Sequence, residues 1–229
     1  MTSPLNQEEF NDGSKTGSPA QLRPPIVAIC IVTILLIVAI IFVVTSLKKP
    51  ELDWYPLSIQ NPREIGDSLV GPTIYTIDSR KNGLAFFDFS SASAVETPDS
   101  LGWDLAFHRF TVLANGGPGF SGKGGIRDLG SVFLDSITSV PVDGYLVNTE
   151  TPEPTNLAMF KWYDYSWTSH ILQPKPKVFS IRTADGRYGI FQILSYYCPA
   201  AQPGCITFRY KYQGSGSTMF KEEKGPNVP

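Results

Sequence analysis

The chain has 229 residues, of which 42% are hydrophobic and 17% are charged, with a formal net charge of −2. From position 50 onward there are 15 lysines and arginines against 18 aspartates and glutamates, a difference of −3. A chain this close to neutral lacks the basic surface of a nucleic-acid-binding protein, so nucleic acid is excluded as a partner. The sequence has three cysteines and two histidines but no H-x-x-x-H or C-x-x-C pair, and we therefore predict no metal site of the zinc type.

The first 24 residues are polar and show no hydrophobic periodicity, ending in Arg23-Pro24-Pro25. Such a composition buries too little apolar surface to fold alone, so residues 1–24 are predicted to form a disordered tail.

The most apolar stretch is residues 26–47, where sixteen of the twenty-two positions are Ile, Val, Leu or Phe and none is charged. As a helix it extends roughly 33 Å, enough to cross a bilayer core of about 30 Å. We predict a single transmembrane helix over residues 25–48, with side chains such as Ile26, Leu36 and Val44 in contact with lipid. The stretch is longer than the apolar region of a cleavable signal peptide, which is about 7–15 residues, so it is predicted to remain as a membrane anchor.

Charges beside this helix leave its orientation open, because basic residues both precede and follow it. Cys198 and Cys205 flank a short loop between two strand-like runs, and a disulfide across that loop would require an oxidising compartment. The alternative is a pair of unpaired thiols. We predict a protein of the bacterial inner (cytoplasmic) membrane that crosses it once, with the N-terminus cytoplasmic and the C-terminal domain periplasmic.

Residues 50–213 have the size of one domain and are rich in strand candidates separated by turn signals. A hairpin is expected where residues 73–77 and 84–89 flank Asn82-Gly83, and another where residues 178–183 and 187–197 flank Asp185-Gly186. Apolar groups on both faces of residues 188–197 predict a central strand, and the alternation in 206–213 predicts a strand with one wet face. Other predicted strands are residues 103–113 and parts of 132–134 and 145–148.

One short helix is predicted outside the membrane, over residues 156–163, and residues 214–229 are predicted to be a flexible tail. The fold class that follows is an all-β, antiparallel, extracytoplasmic domain preceded by a single transmembrane α-helix.

The glycine-rich stretch from Asn115 to Gly125 partly fits two phosphate-binding patterns, but both require a helix to begin at the last glycine. Two further glycines follow the lysine here, so we predict a long loop between strands instead of a nucleotide site. The sequence also lacks a G-x-S-x-G nucleophile elbow, and no catalytic residues are assigned: the protein is predicted not to be an enzyme.

Haem fits the sequence better than a nucleotide or a zinc ion. An iron porphyrin needs one or two axial donors, commonly histidine or methionine, in an aromatic-rich environment. The available donors are His170, His108, Met159 and Met219. His170 follows an aromatic cluster, residues 162–167, on a predicted loop where a flat hydrophobic ligand could lie.

Several motifs together resemble the HmuY family. They are Gly102-Trp-Asp-Leu-Ala-Phe-His-Arg109, the Asn115 glycine loop, Trp162-Tyr163, the Thr-Ala-Asp-Gly turn that ends at Gly186, and residues 207–213. The resemblance covers about residues 54–213. It implies an all-β extracytoplasmic domain and, in the founding bacterial members, a haemophore that holds haem by two axial side chains. Those members are lipid-anchored or released, whereas this chain has an apolar helix, and the shared motifs contain no axial ligands to carry over.

Two functions are therefore expected. The first is a non-catalytic accessory subunit, without a cofactor of its own, that docks on an integral-membrane complex such as a respiratory or photosynthetic energy-transducing assembly. The alternative is a haem-binding or haem-delivery protein at the membrane surface. A third, weaker hypothesis is a carbohydrate- or peptide-binding module that uses exposed Tyr and Trp side chains.

Overall fold

The computed structural model describes residues 25–47, 52–96, 98–150 and 152–221. The chain divides into two compact units, residues 1–48 and residues 49–229. In the first unit, helix α1 covers Ile26–Leu47 and all its residues are exposed. By length and composition this helix could cross a membrane. The helix predicted from the sequence is thus confirmed, whereas the predicted tail over residues 1–24 lies outside the described residues.

The second unit consists mainly of antiparallel strands. The described residues form a five-stranded sheet in the order β1-β11-β10-β9-β6, a four-stranded sheet in the order β3-β2-β4-β5, and a two-stranded sheet of β7 and β8. The strands are β1 (Leu69–Asp78), β2 (Ala85–Asp88), β3 (Ser93–Val95), β4 (Leu105–His108), β5 (Thr111–Ala114), β6 (Gly125–Asp128), β7 (Tyr163–Ser166), β8 (Ile171–Pro174), β9 (Phe179–Arg182), β10 (Tyr188–Cys198) and β11 (Gln202–Gln213).

Aromatic rings fill the space between the two larger sheets. Phe87 of β2 packs edge-on against Phe208 of β11 with ring centroids 5.0 Å apart, and Phe89 packs against Tyr210 at 5.3 Å. These four side chains are fully buried. Burying each phenylalanine ring contributes about 1.5–3 kcal/mol, so the alternation of apolar residues along β11 determines which face of this strand turns inward.

The hairpin predicted at Asp185-Gly186 is confirmed, because β9 and β10 pair in antiparallel register around it. Strand β10 lies between β9 and β11 and is central, as predicted. On β11 the face predicted to be solvent-exposed is only partly so: Arg209 and Lys211 are partly exposed, but Thr207 is buried.

The hairpin predicted across Asn82-Gly83 is wrong. Strand β1 pairs with β11, whereas β2 pairs with β3 and β4 in the other large sheet. The cause lies just after β1, where the Ser79 N–H donates to the Gly204 carbonyl at 2.8 Å and its hydroxyl donates to the Arg109 carbonyl at 2.9 Å. These bonds carry the chain from one sheet to the other instead of back along β1.

The single strand predicted over residues 103–113 is two strands, β4 and β5, joined by a turn in which Arg109 has φ +52°. The Phe110 carbonyl in this turn accepts a 2.8 Å hydrogen bond from the indole N–H of the buried Trp162. A strand prediction based on alternation alone does not detect a turn that a distant side chain stabilises.

Three further predictions need correction. Residues 132–134 form no strand, since a 3-10 turn covers Leu134–Ser136, and residues 145–148 contribute only isolated bridges. The helix predicted over residues 156–163 shrinks to the 3-10 turn Leu157–Met159, because the chain extends again to begin β7.

The segment after β11 is not flexible at its start. Phe220 is 4% exposed, and its N–H donates to the Thr138 carbonyl at 2.8 Å, while Val140 N–H donates to the Thr218 carbonyl at 2.9 Å. This burial explains why residues 214–220 pack onto the domain, contrary to the predicted flexible tail. Residues 222–229 lie outside the described residues.

The glycine-rich stretch is a loop between β5 and β6, as predicted. A Cβ on Gly122 would collide with the Asn115 carbonyl oxygen, so this loop folds closely on its own backbone. Its last glycine, Gly125, begins a strand and not a helix, so the backbone N–H groups are not arranged as in a phosphate-binding loop.

Asp104 connects the two larger sheets. One carboxyl oxygen accepts the Phe89 N–H after β2 at 2.9 Å, and the other accepts the Ala184 N–H in the β9–β10 turn at 2.8 Å. Burial, followed by the nearby Asp88 carboxylate, raises the pKa of Asp104 well above its ordinary value. The Trp-Asp and Thr-Ala-Asp-Gly motifs therefore meet at one buried carboxyl group and serve the fold.

This raised pKa predicts a pH dependence of stability. A carboxyl group whose pKa is higher in the folded state stabilises fully below its unfolded value of about 3.9, and that contribution is lost as pH rises toward the folded value. Relative to Asp104→Asn, which does not titrate, the wild-type free energy of unfolding should fall as pH rises from about 4. Urea unfolding at several pH values checks this, and a difference that is constant or that grows with pH would contradict it.

Candidate functional site

The aromatic cluster noted in the sequence lies on a β-hairpin and not on a loop. Strands β7 and β8 pair in register from Tyr163 opposite Pro174 to Ser166 opposite Ile171. The Ser166 hydroxyl oxygen accepts a hydrogen bond from the Ser169 hydroxyl at 2.8 Å, which closes the tip. The hairpin thus holds its tip residues in a defined arrangement.

His170 ends this tip. It adopts the left-handed backbone conformation, φ +56°, which a residue with a side chain occupies at an energetic cost. Its Nδ1 lies 2.6 Å from the Tyr165 hydroxyl, across the hairpin. The imidazole is exposed, and the described residues provide no partner for Nε2, which is the nitrogen available to an external ligand.

Two aromatic side chains beside His170 are also exposed. Trp167 is 72% exposed and Tyr165 is 53% exposed, and the Tyr165 and His170 rings lie 6.1 Å apart at 45°. We call these three residues, Tyr165, Trp167 and His170, the hairpin platform. It combines flat apolar faces with one nitrogen donor at the surface.

The platform rests on a buried base. The Leu172 N–H donates to the Tyr197 hydroxyl of β10 at 2.8 Å, and Ile171 beside it is buried. Burial raises the pKa of Tyr197. The hairpin is therefore attached to β10 close to its tip, whose residues His170 and Trp167 remain exposed.

The other predicted donors do not join this platform. His108 is exposed at the end of β4, in a different sheet, and no hydrogen bond links it to His170 among the described residues. Met159 is 4% exposed and packs in the core, so its thioether has no open side for a ligand. Met219 is 48% exposed and forms an isolated bridge with Ser139, in the segment after β11.

The two cavities described do not contain these donors. The larger, of about 500 Å³, lies between β1, β2 and β3 and is lined by Tyr75, Ile77, Phe86 and Val95 among others. The second, of about 220 Å³, is lined by residues that include Phe133 and Arg209. Neither lining includes a histidine or methionine, the axial donors expected from the sequence, and the hydroxyl of Tyr75 in the larger cavity already accepts the Ala94 N–H at 2.9 Å.

Sequence reasoning identified His170 and its aromatic neighbours but missed the contact with Tyr165. The detectable signal was the alternation of Tyr163, Tyr165 and Trp167, which is typical of a strand. A strand ending at residue 166, paired with one beginning at 171, places Tyr165 opposite Leu172, two residues after His170.

The two cysteines of the β domain are joined in the structure. Cys198 and Cys205 form a disulfide with Cα atoms 4.9 Å apart, closing the end of the β10–β11 hairpin. Cys30, in helix α1, is free.

Comparison with known structures identifies the same architecture at low sequence identity. A lipoprotein of Bacteroides fragilis matches with a TM-score of 0.52 and 19% identity, over 66% of this chain and 93% of that one. The apo HmuY analogue of Tannerella forsythia matches with a TM-score of 0.54 and 14% identity, over 66% and 99%. An HmuY-like haem-binding protein of Bacteroides vulgatus matches with a TM-score of 0.50 and 19% identity, over 66% and 98%.

No curated protein sequence gives a significant match. The HmuY protein family, in contrast, matches residues 80–210, a range that contains Trp103-Asp104, the glycine-rich loop and the Thr-Ala-Asp-Gly turn. The all-β antiparallel fold and the resemblance predicted from those motifs are both confirmed. This match covers more than half of the sequence, and the chain belongs to the HmuY family.

Proposed function

We propose that this protein binds haem at the outer surface of a bacterial cytoplasmic membrane, with His170 as an axial ligand and helix α1 as the anchor. The observation that carries the proposal is the exposed imidazole of His170, whose Nδ1 contacts the Tyr165 hydroxyl and whose Nε2 has no partner among the described residues. Family membership supports it, as does the similarity to a haem-binding protein of Bacteroides vulgatus.

The residues of the hairpin platform suit haem chemically. Neutral imidazole is a common axial ligand of haem iron, and the faces of Tyr165 and Trp167 suit a flat apolar ring. Haem, when bound, would supply the iron that accepts the imidazole lone pair. The chain's own contribution is to hold that imidazole on a hairpin that the Leu172–Tyr197 hydrogen bond attaches to β10 close to its tip.

Two features support an extracytoplasmic location for the β domain. The Cys198–Cys205 disulfide suits an oxidising compartment, and α1 is long and apolar enough for a membrane anchor. The proposed topology places the N-terminus in the cytoplasm and the β domain outside it. The role is one of binding, without a catalytic step.

The first function expected from the sequence, an accessory subunit of an energy-transducing complex, receives no support from the matches reported above. Family membership favours the alternative, haem binding. Purification in mild detergent distinguishes the two functions, because a haem-binding protein can be isolated alone and take up haem, whereas a subunit should co-purify with partners in fixed proportion.

Haem titration of the full chain in detergent tests the proposal. His170→Ala should weaken ferric haem binding by about 100-fold or more, because losing the ligand itself should cost at least as much as losing a residue that supports it, which costs about 10–100-fold. His108→Ala is the matched control, since it removes the other exposed imidazole and should leave the affinity unchanged. Equal affinities of wild type and His170→Ala would exclude His170 as a ligand.

A further inference from the structure

The hydroxyl of Tyr165 contacts a ring nitrogen of His170, the proposed haem ligand. It lies 2.6 Å from Nδ1 of His170, although both side chains are exposed and solvent could take the place of either partner. The two residues are brought together by the backbone: Tyr165 pairs with Leu172 across the hairpin, and His170 directly precedes β8 in the left-handed conformation.

Because of this hydrogen bond, the two ring nitrogens of His170 differ in what they can bind. A neutral imidazole carries one proton, and the nitrogen that donates its lone pair to a metal ion must be the one without it. With Nδ1 held against the phenol, Nε2 is the nitrogen left for coordination. For that arrangement the proton resides on Nδ1 and is donated to the Tyr165 oxygen, while the phenol's own proton turns toward solvent, which its 53% exposure permits.

We infer that Tyr165 is a positioning residue that fixes the ring orientation and tautomer of His170 so that Nε2 is presented to haem iron. This inference rests on the proposed function and specifies how its ligand is prepared. A hydrogen-bond acceptor at Nδ1 makes the imidazole a stronger electron donor, and such supporting contacts typically change metal affinity by about 10–100-fold.

Tyr165→Phe removes the hydroxyl and keeps the ring, so the apolar face of the platform is preserved. We expect ferric haem affinity of the full chain in detergent to fall by about tenfold, the lower end of that range. The midpoint potential of the bound haem should rise, because a weaker imidazole donor stabilises ferric iron less. Tyr163→Phe is the matched control: Tyr163 lies two residues away in β7, and among the described residues the hydroxyl bonded to His170 is that of Tyr165.

A measurement without haem accompanies the titration. The chain contains only two histidines, so ¹⁵N-histidine labelling of the apo protein gives two sets of ring resonances, which His108→Ala assigns. The Nδ1 resonance of His170 should shift in Tyr165→Phe and not in Tyr163→Phe.

The outcomes distinguish the positioning role of Tyr165 from haem ligation by His170. If His170→Ala loses haem while Tyr165→Phe keeps the wild-type affinity, midpoint potential and apo spectrum, the inference is overturned and the proposed function stands. If His170→Ala binds haem as the wild type does, both are overturned. The positioning role is supported if Tyr165→Phe, and not Tyr163→Phe, both lowers haem affinity and raises the midpoint potential. General loosening of the hairpin would lower the affinity without raising the potential.

Discussion

Replacing Asp104 with alanine should lower the free energy of unfolding of the β domain by about 2–6 kcal/mol. The side chain is 3% exposed, and its two oxygens accept the backbone N–H groups of Phe89 and Ala184. Each buried donor left without an acceptor costs about 1–3 kcal/mol. Because the two donors belong to different sheets, the substitution removes a connection between the sheets as well as two hydrogen bonds.

Urea unfolding of the full chain in detergent, followed by the fluorescence of the buried Trp103 and Trp162, measures this effect. Asp135→Ala is the control: this carboxylate pairs with Arg209 at 2.7 Å, but its side chain is 54% exposed, and surface pairs contribute at most about 1 kcal/mol. The loss should be largest near pH 4, where the wild-type carboxyl group retains its proton. If Asp104→Ala were no more destabilising than Asp135→Ala, Asp104 would not be the link between the sheets.

The second large effect concerns helix α1. Placing two arginines near its middle, Leu36→Arg together with Ile40→Arg, should release the protein from the membrane or prevent its insertion. Sixteen Ile, Val, Leu and Phe side chains favour insertion by roughly 5–10 kcal/mol, while each central arginine costs about 2.5–3.5 kcal/mol and removes one of the favourable side chains. Fourteen of those side chains then remain, worth roughly 4–8 kcal/mol, against about 5–7 kcal/mol for the two arginines, so the free energy of insertion moves to zero within about 3 kcal/mol either way.

Carbonate washing of isolated membranes checks the result, with the exchange Leu36→Ile and Ile40→Leu as a control of unchanged apolarity. Wild type and control should stay in the membrane pellet, and the double arginine variant should appear in the supernatant. Wild-type protein that carbonate removes would contradict the proposed anchor, as would a double arginine variant that remains in the pellet.

The parts of the fold that sequence could predict are those decided by local pattern. Uniform apolarity over residues 26–47 specified the helix, and the β9–β10 hairpin followed from strand-forming residues around Asp185-Gly186. The features that failed depend on distant contacts. The chain turns at Arg109 beside Trp162, and it crosses between sheets at Ser79 because Gly204 and Arg109 bind that residue.

The same distinction between local pattern and distant contact applies to the residues of the candidate site. His170 and its aromatic neighbours are visible in the sequence because donor chemistry and ring composition are local properties. The burial of Met159 and the contact between Tyr165 and His170 are not, since one depends on core packing and the other on hairpin register. Asp104 shows the reverse case, in which a distinctive motif that suggested a family proves to be a structural connection.

The most direct test of haem ligation by His170 is resonance Raman spectroscopy of the ferrous haem-loaded full chain, with and without ¹⁵N-histidine. We expect an iron–histidine stretching band that shifts with the label in wild type and His108→Ala and that is missing in His170→Ala. A label-sensitive band that persists in His170→Ala would contradict the proposal, as would a five-coordinate ferrous wild-type spectrum without one.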